Sequence, residues 1–174
     1  MRNLLIPVFI LSALAVKSYG QTVPGQNIYP MQGCQPGFTN FGKFCYKYFW
    51  ERLPWLQAQL KCLSYQASPL APKGYLITTK DIQHNRFQHN WLRYTGGGNN
   101  KVWMGLAERR NNEYYWADGT PFLPRAWNRF KPDQPQLNAH IQAVHSFDNR
   151  ADNTWVTSSI ETEISFICQY QYMP

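Results

Sequence analysis

No run of like charge exceeds two residues anywhere in this 174-residue chain, which leaves a nucleic-acid-binding arm or a polybasic membrane segment without support. Cys-x2-Cys is missing too, and with it the usual spacing of a zinc site. The chain has neither a Gly-x-Ser-x-Gly elbow nor a His-Glu-x-x-His helix, so the hydrolase and zinc-protease signatures are absent. Asn-x-Ser/Thr does not occur, and no N-linked glycan is expected. No heptad repeat marks a coiled coil. His84 and His89 would stand about 140° apart on a helix, and His140 and His145 on opposite sides of a strand, so neither pair is a metal clamp. Asp118 lies in a turn sequence and reads as a turn former rather than a general acid. With these constellations missing, no catalytic residue, no bound metal and no cofactor is expected.

What is present begins with an address. Met1-Arg2 gives a positive start, Leu4 to Val16 is an apolar run broken by Pro7 and Ser12, and Ser18 and Gly20 supply the small residues of a cleavage site. Residues 1–20 therefore read as a signal peptide cut before Gln21, and the expected location is extracellular. The apolar run is short for a bilayer, and no other segment approaches twenty apolar residues, so no membrane anchor is expected. The formal charge is +7; losing Arg2 and Lys17 with the leader leaves fifteen basic against ten acidic residues, a net of +5. That balance supports a general preference for anionic surfaces and nothing narrower.

Secretion makes the cysteines readable. All four, Cys34, Cys45, Cys62 and Cys168, fall in the mature part, where an oxidising compartment favours disulfides. Cys34 and Cys45 flank a Pro36-Gly37 stretch that reads as a turn between two short strands, so a local hairpin bridge is expected. Cys62 then pairs with Cys168 and closes a loop of more than a hundred residues.

Residues 21–33 carry Pro24-Gly25 and Pro30 without apolar periodicity and read as an N-terminal arm. Tyr46 to Phe49 is strand-like. Trp55, Ala58 and Cys62 share one face of a short helix with Pro54 at its start. Tyr75-Leu76-Ile77 reads as a strand, and Thr78 or Thr79 as the cap of a second helix reaching about Tyr94, with Phe87, Trp91 and Tyr94 on one face. Gly96 to Asn100 lacks a phosphate-loop lysine and reads as a turn. Val102 to Leu106 is a buried strand, Tyr115 to Pro121 a strand entering a turn, and Pro121 to Asn153 a long stretch poor in regular structure. Trp103, Trp116, Trp127 and Trp155 are expected to supply core area.

In their order these pieces resemble the C-type lectin-like domain: the cysteine hairpin, the Trp55-x-x-Ala58-x-x-x-Cys62 helix, Trp103-Met104-Gly105-Leu106, Trp116-Ala117-Asp118-Gly119-Thr120, Lys131-Pro132-Asp133, Trp155 and Phe166-Ile167-Cys168. The resemblance spans residues 34–170 and leaves 171–174 as a short tail. It implies an α+β fold with two helices, small antiparallel sheets, a long irregular loop region and a disulfide staple.

The resemblance also implies a ligand site, and here the chain departs from the family. Related lectins hold calcium with Glu-Pro-Asn or Gln-Pro-Asp in the long loop and Trp-Asn-Asp near the end, and sugar hydroxyls complete the shell. This chain has Lys131-Pro132-Asp133 and Trp155-Val156-Thr157. Val156 has no side-chain oxygen, and the Lys131 ammonium would stand where a cation should bind, where it could pair with Asp133 instead. The site is expected to be degenerate, without tight calcium. The family's loop-bracing disulfide is also missing, with Ile160 at one expected cysteine and His140 or Ile141 near the other. Lys101, Arg109, Arg110, Arg125, Arg129 and Lys131 flank loops at the expected binding end and are candidate anion contacts; Tyr114 and Tyr115 are candidate sugar-stacking rings.

Two functional readings follow. One is an extracellular matrix protein similar to the spicule-matrix proteins of mineralised skeletons, a likeness carried by the degenerate site, the basic balance and the short Val23-Pro24-Gly25-Gln26 arm. The other is a soluble carbohydrate-binding lectin, calcium-dependent or independent, acting in defence. The expected partners are extracellular glycans, matrix proteins or a mineral surface, with no nucleic acid.

Overall fold

Phe44 to Leu53 forms the long strand around which the domain is arranged (β2), preceded by Thr39–Phe41 (β1) across a tight turn at Gly42. Gly42 has φ +58°, a left-handed backbone that a side chain disfavours. This computed structural model describes residues 33–79, 81–95, 101–110, 113–123, 130, 142–146 and 154–172; the expected leader, nearly all of the arm and the end of the tail lie outside them. The Cys34–Cys45 disulfide ties the entrance of the hairpin to β2, as the spacing predicts.

Pro54 then opens α1 (Trp55–Cys62). Trp55, Ala58 and Cys62 all face inward, and Cys62 bonds to Cys168. Leu56 and Leu60 lie on the outer face. The chain continues through β3 (Tyr75–Leu76), α2 (Ile82–Tyr94), β4 (Val102–Arg110), β5 (Glu113–Trp116), β6 (Gln142–Ser146), β7 (Trp155–Ser159) and β8 (Ile164–Gln171).

The second helix differs from the sequence expectation in two ways. Its cap is Asp81, whose carboxylate accepts the His84 backbone N–H at 2.9 Å. Thr78 and Thr79 are buried and otherwise engaged: the Thr79 hydroxyl donates to Gln88, and the Thr78 N–H donates to Gln169 Oε1. The buried face of α2 is also rotated from the aromatic stripe. Asn85, Gln88 and Leu92 are buried, Phe87 and Trp91 are half-buried, and Tyr94 is exposed. Polar Gln88 can face the interior because both ends of its amide are satisfied: Nε2 donates to the Thr78 carbonyl and Oε1 accepts from Thr79.

The strands join into one sheet in the order β1-β2-β8-β4-β6-β7, with β3 added to β8 and β5 to β4. Small antiparallel sheets were the expectation, and most pairs are antiparallel. The pieces are fused by the parallel pairing of β4 with β8, in which Val102 and Trp103 lie beside Ser165 and Phe166. β6 is a further difference, since it falls inside the stretch read as irregular. Gly105 sits where β3 approaches β4, and a Cβ there would lie 2.7 Å from the Leu76 carbonyl oxygen.

Two apolar clusters cover the sheet. Tyr46, Ile77, Leu92, Met104, Trp116 and Trp155 are among the members of one; Trp55, Leu76, Trp103, Ala143 and Phe166 are among those of the other. Buried indoles are tied to backbone: Trp55 Nε1 donates to the Met104 carbonyl at 2.7 Å, and Trp103 Nε1 to the Leu53 carbonyl at 2.9 Å. These bonds fix α1 and β2 against β4.

Candidate functional site

β7 presents Trp155, Val156 and Thr157 alternately, and the alternation decides what each can do. Trp155 is fully buried, ringed by Trp116 at 5.8 Å, Phe130 at 5.7 Å and Phe122 at 6.4 Å between ring centroids. It is a core residue. Val156 is half-buried and supplies methyl groups; Thr157 is buried. A calcium ion needs six to eight oxygen ligands. At the two positions after Trp155, where the resembling lectins carry Asn and Asp, this strand offers two methyls and a single buried hydroxyl, a set that does not fit one. Lys131, Pro132 and Asp133, with Arg125, Arg129, His140 and Ile141, lie outside the described residues. Ile160, at one expected cysteine position, packs against the cluster around Trp55, and its carbonyl accepts the Trp55 N–H at 2.9 Å.

Among the described candidate anion contacts, Lys101 and Arg109 stand far apart. Lys101 is exposed just before β4, whereas Arg109 is exposed near its far end. Eight residues of strand separate them by roughly 25 Å. Arg110 follows within the same strand. Arg109 is distinguished by its backbone. The β4–β5 register runs Ala107–Tyr115 and Glu108–Tyr114, then shifts to Arg110–Glu113, so Arg109 is the extra residue of a bulge. Bulges re-aim a side chain at a sheet rim.

Below that bulge lies a cleft of about 510 Å³, lined among others by Arg109, Tyr114, Tyr115, Gly119, Thr120 and Pro121. One wall is β5. The chain returning from the turn lines the cleft beside β5, where Pro121 bridges back to Tyr115. Asp118 holds that turn as expected, its carboxylate accepting both the N–H of Thr120 at 3.0 Å and its hydroxyl at 2.6 Å. The two tyrosines part company on the strand. Tyr114 turns toward Phe122 and Phe130 and is half-buried; Tyr115 keeps 38% of its surface exposed. Burial, with Glu108 nearby, pushes the Tyr114 hydroxyl up to about 12, so it stays a neutral donor at physiological pH.

The sequence pointed to Arg109, Tyr114 and Tyr115 separately. Thr120 and Pro121 as cleft walls had no signal of their own, because only the fold brings the returning chain beside β5.

Comparison with known proteins agrees with this architecture. Rat lithostathine is 24% identical over 165 residues, which cover 93% of this chain and 94% of the relative. Nattectin, a galactose-specific lectin of Thalassophryne nattereri, is 23% identical over 141 residues, 78% of this chain and 79% of the relative. The solved C-type lectin CEL-I from Cucumaria echinata superposes with a TM-score of 0.70 at 20% identity, over 80% of this chain and 99% of that one. Residues 51–170 match the lectin C-type domain. With the two helices, the sheet built on β2, β8 and β4, and the Cys62–Cys168 staple all in place, this chain belongs to the C-type lectin domain family, a family of carbohydrate-binding modules.

Proposed function

We propose that this protein is a secreted binding module that works without calcium at the long-loop site, and that it serves as an extracellular matrix component, as in a mineralised skeleton. The observation that carries the first half is the side-chain set of β7: apolar Val156 and buried Thr157 stand where the resembling lectins place the Asn and Asp oxygen ligands. Lys131 adds a positive charge beside Asp133 in sequence, which opposes a dication by Coulomb repulsion. The leader-like first twenty residues support secretion. The matrix role is supported by the basic balance, suited to anionic polymers or carbonate, and by the short Pro-Gly-Gln arm.

A second reading is favoured by the kinship with nattectin and CEL-I: a soluble lectin that captures neutral sugars. The two are separated on a glycan array run with and without chelator. The matrix reading expects no chelator-sensitive mannose or galactose binding, together with recovery of the protein from bleached mineral. Chelator-sensitive capture of either sugar would establish the second reading in its place.

A further inference from the structure

The β4–β5 cleft combines features that a merely solvated rim does not need. Its volume of about 510 Å³ lies within the range of small-molecule sites. Among the described residues that line it, Arg109 alone carries a charge, and a bulge sets its position. Among the described residues that line the cleft there is no carboxylate. Tyr115 offers a partly exposed ring and lines the cleft together with Arg109. Thr120 lines the cleft as well, and its hydroxyl hydrogen is committed to Asp118 at 2.6 Å. Its oxygen is therefore left to accept from a ligand hydroxyl.

Each feature selects a part of a ligand. A guanidinium takes an oxyanion through paired hydrogen bonds. An exposed phenol ring takes a flat apolar face. A threonine oxygen that can only accept takes a hydroxyl donor. An acidic sugar carries an oxyanion, an apolar ring face and hydroxyl donors together.

We infer that the cleft lined by Arg109, β5 and the returning segment at Gly119–Pro121 is a subsite for an acidic sugar residue, with the sulfate or carboxylate on Arg109, the ring face on Tyr115 and a hydroxyl on Thr120. The residues of the subsite are other than Lys131, Asp133, Val156 and Thr157, and none of its three contacts calls for a metal.

The test is calorimetric titration of the full mature chain, in chelator, with chondroitin sulfate, hyaluronan and neutral chitin tetrasaccharides. The acidic sugars are expected to bind at least about tenfold more tightly than the neutral one. Binding of chondroitin sulfate alone assigns the anion to a sulfate ester; binding of both acidic sugars shows that a carboxylate suffices. Arg109→Ala is expected to weaken binding about tenfold and Arg109→Lys by less, since lysine keeps the charge and loses the fork. Tyr115→Ala is expected to cost about fivefold, with Tyr115→Phe within about twofold of wild type. Amide shifts on binding should concentrate in residues 114–120, a readout that does not depend on any variant folding. Lys101→Ala, at the other end of β4, should leave affinity unchanged. No binding by any sugar, equal binding of neutral and acidic sugars, or an equal loss from Lys101→Ala would overturn the subsite. Failure of the calcium reading would look different, as sugar binding that chelator removes and Arg109→Ala does not.

Discussion

The two disulfides close loops of very different length, and that difference sets a measurable ranking. Cys62 and Cys168 are 106 residues apart; Cys34 and Cys45 are 11 apart. In the chain-entropy account the longer closure removes about 4.8 kcal/mol of unfolded-state entropy at 25 °C and the shorter about 2.8 kcal/mol. Replacing each pair by alanine should therefore separate the two variants by about 2 kcal/mol, with the Cys62/Cys168 variant the weaker. Packing acts in the same direction, because Cys62 and Cys168 are both fully buried whereas Cys34 is only half-buried. Urea unfolding followed by tryptophan fluorescence reads the gap, expected as a midpoint difference of about 1 M for a domain of this size. Equal losses, or a larger loss from the hairpin pair, would refute the reasoning and mean that the covalent tie between α1 and β8 adds little beyond the sheet itself.

Three smaller perturbations test the packing around the site. Gln59→Leu strips the acceptor from the Leu76 N–H, bonded at 2.9 Å in the buried contact between α1 and β3, and should cost about 1–3 kcal/mol with faster hydrogen exchange at Leu76. Gly105→Ala would press a Cβ against the Leu76 carbonyl, at 2.7 Å, and should destabilise by about 1–3 kcal/mol in thermal or urea unfolding. For Asp81, partial burial raises the carboxyl pKa, but the His84 and Gln83 N–H groups and the His84 ring outweigh it and hold the group below its ordinary 3.8. A depressed folded pKa means that capping stability is fully present above the unfolded value and is lost as pH falls through the folded one. Asp81→Ala should thus cost about 1 kcal/mol near neutral pH, and the gap from wild type should close progressively below pH 3.8.

Local signals carried much of the fold. Pro54 with Trp55, Ala58 and Cys62 marks α1 because a helix start and an inward stripe are both written within eight residues. The paired cysteines and the buried run Val102 to Leu106 are similarly local. What escaped was set by distant partners. α2 turned Asn85 and Gln88 inward rather than Tyr94, because Thr78 and Thr79 on the preceding segment satisfy the Gln88 amide. β6 is five residues of mixed polarity, held between β4 and β7, and has no strand signature alone. The parallel contact of β4 with β8 links residues more than sixty apart. At the site, Val156 and Thr157 could be read as poor calcium ligands from their chemistry alone. The cleft could not be read, since it needs the Arg109 bulge and the return of Pro121 to Tyr115.

Calcium titration of the purified mature chain by calorimetry addresses the account most directly. The donor set on β7 and the lysine beside Asp133 predict no binding heat tighter than about millimolar. Micromolar uptake that Asp133→Ala abolishes would contradict the account and restore calcium-bridged sugar capture as the function of the long loop.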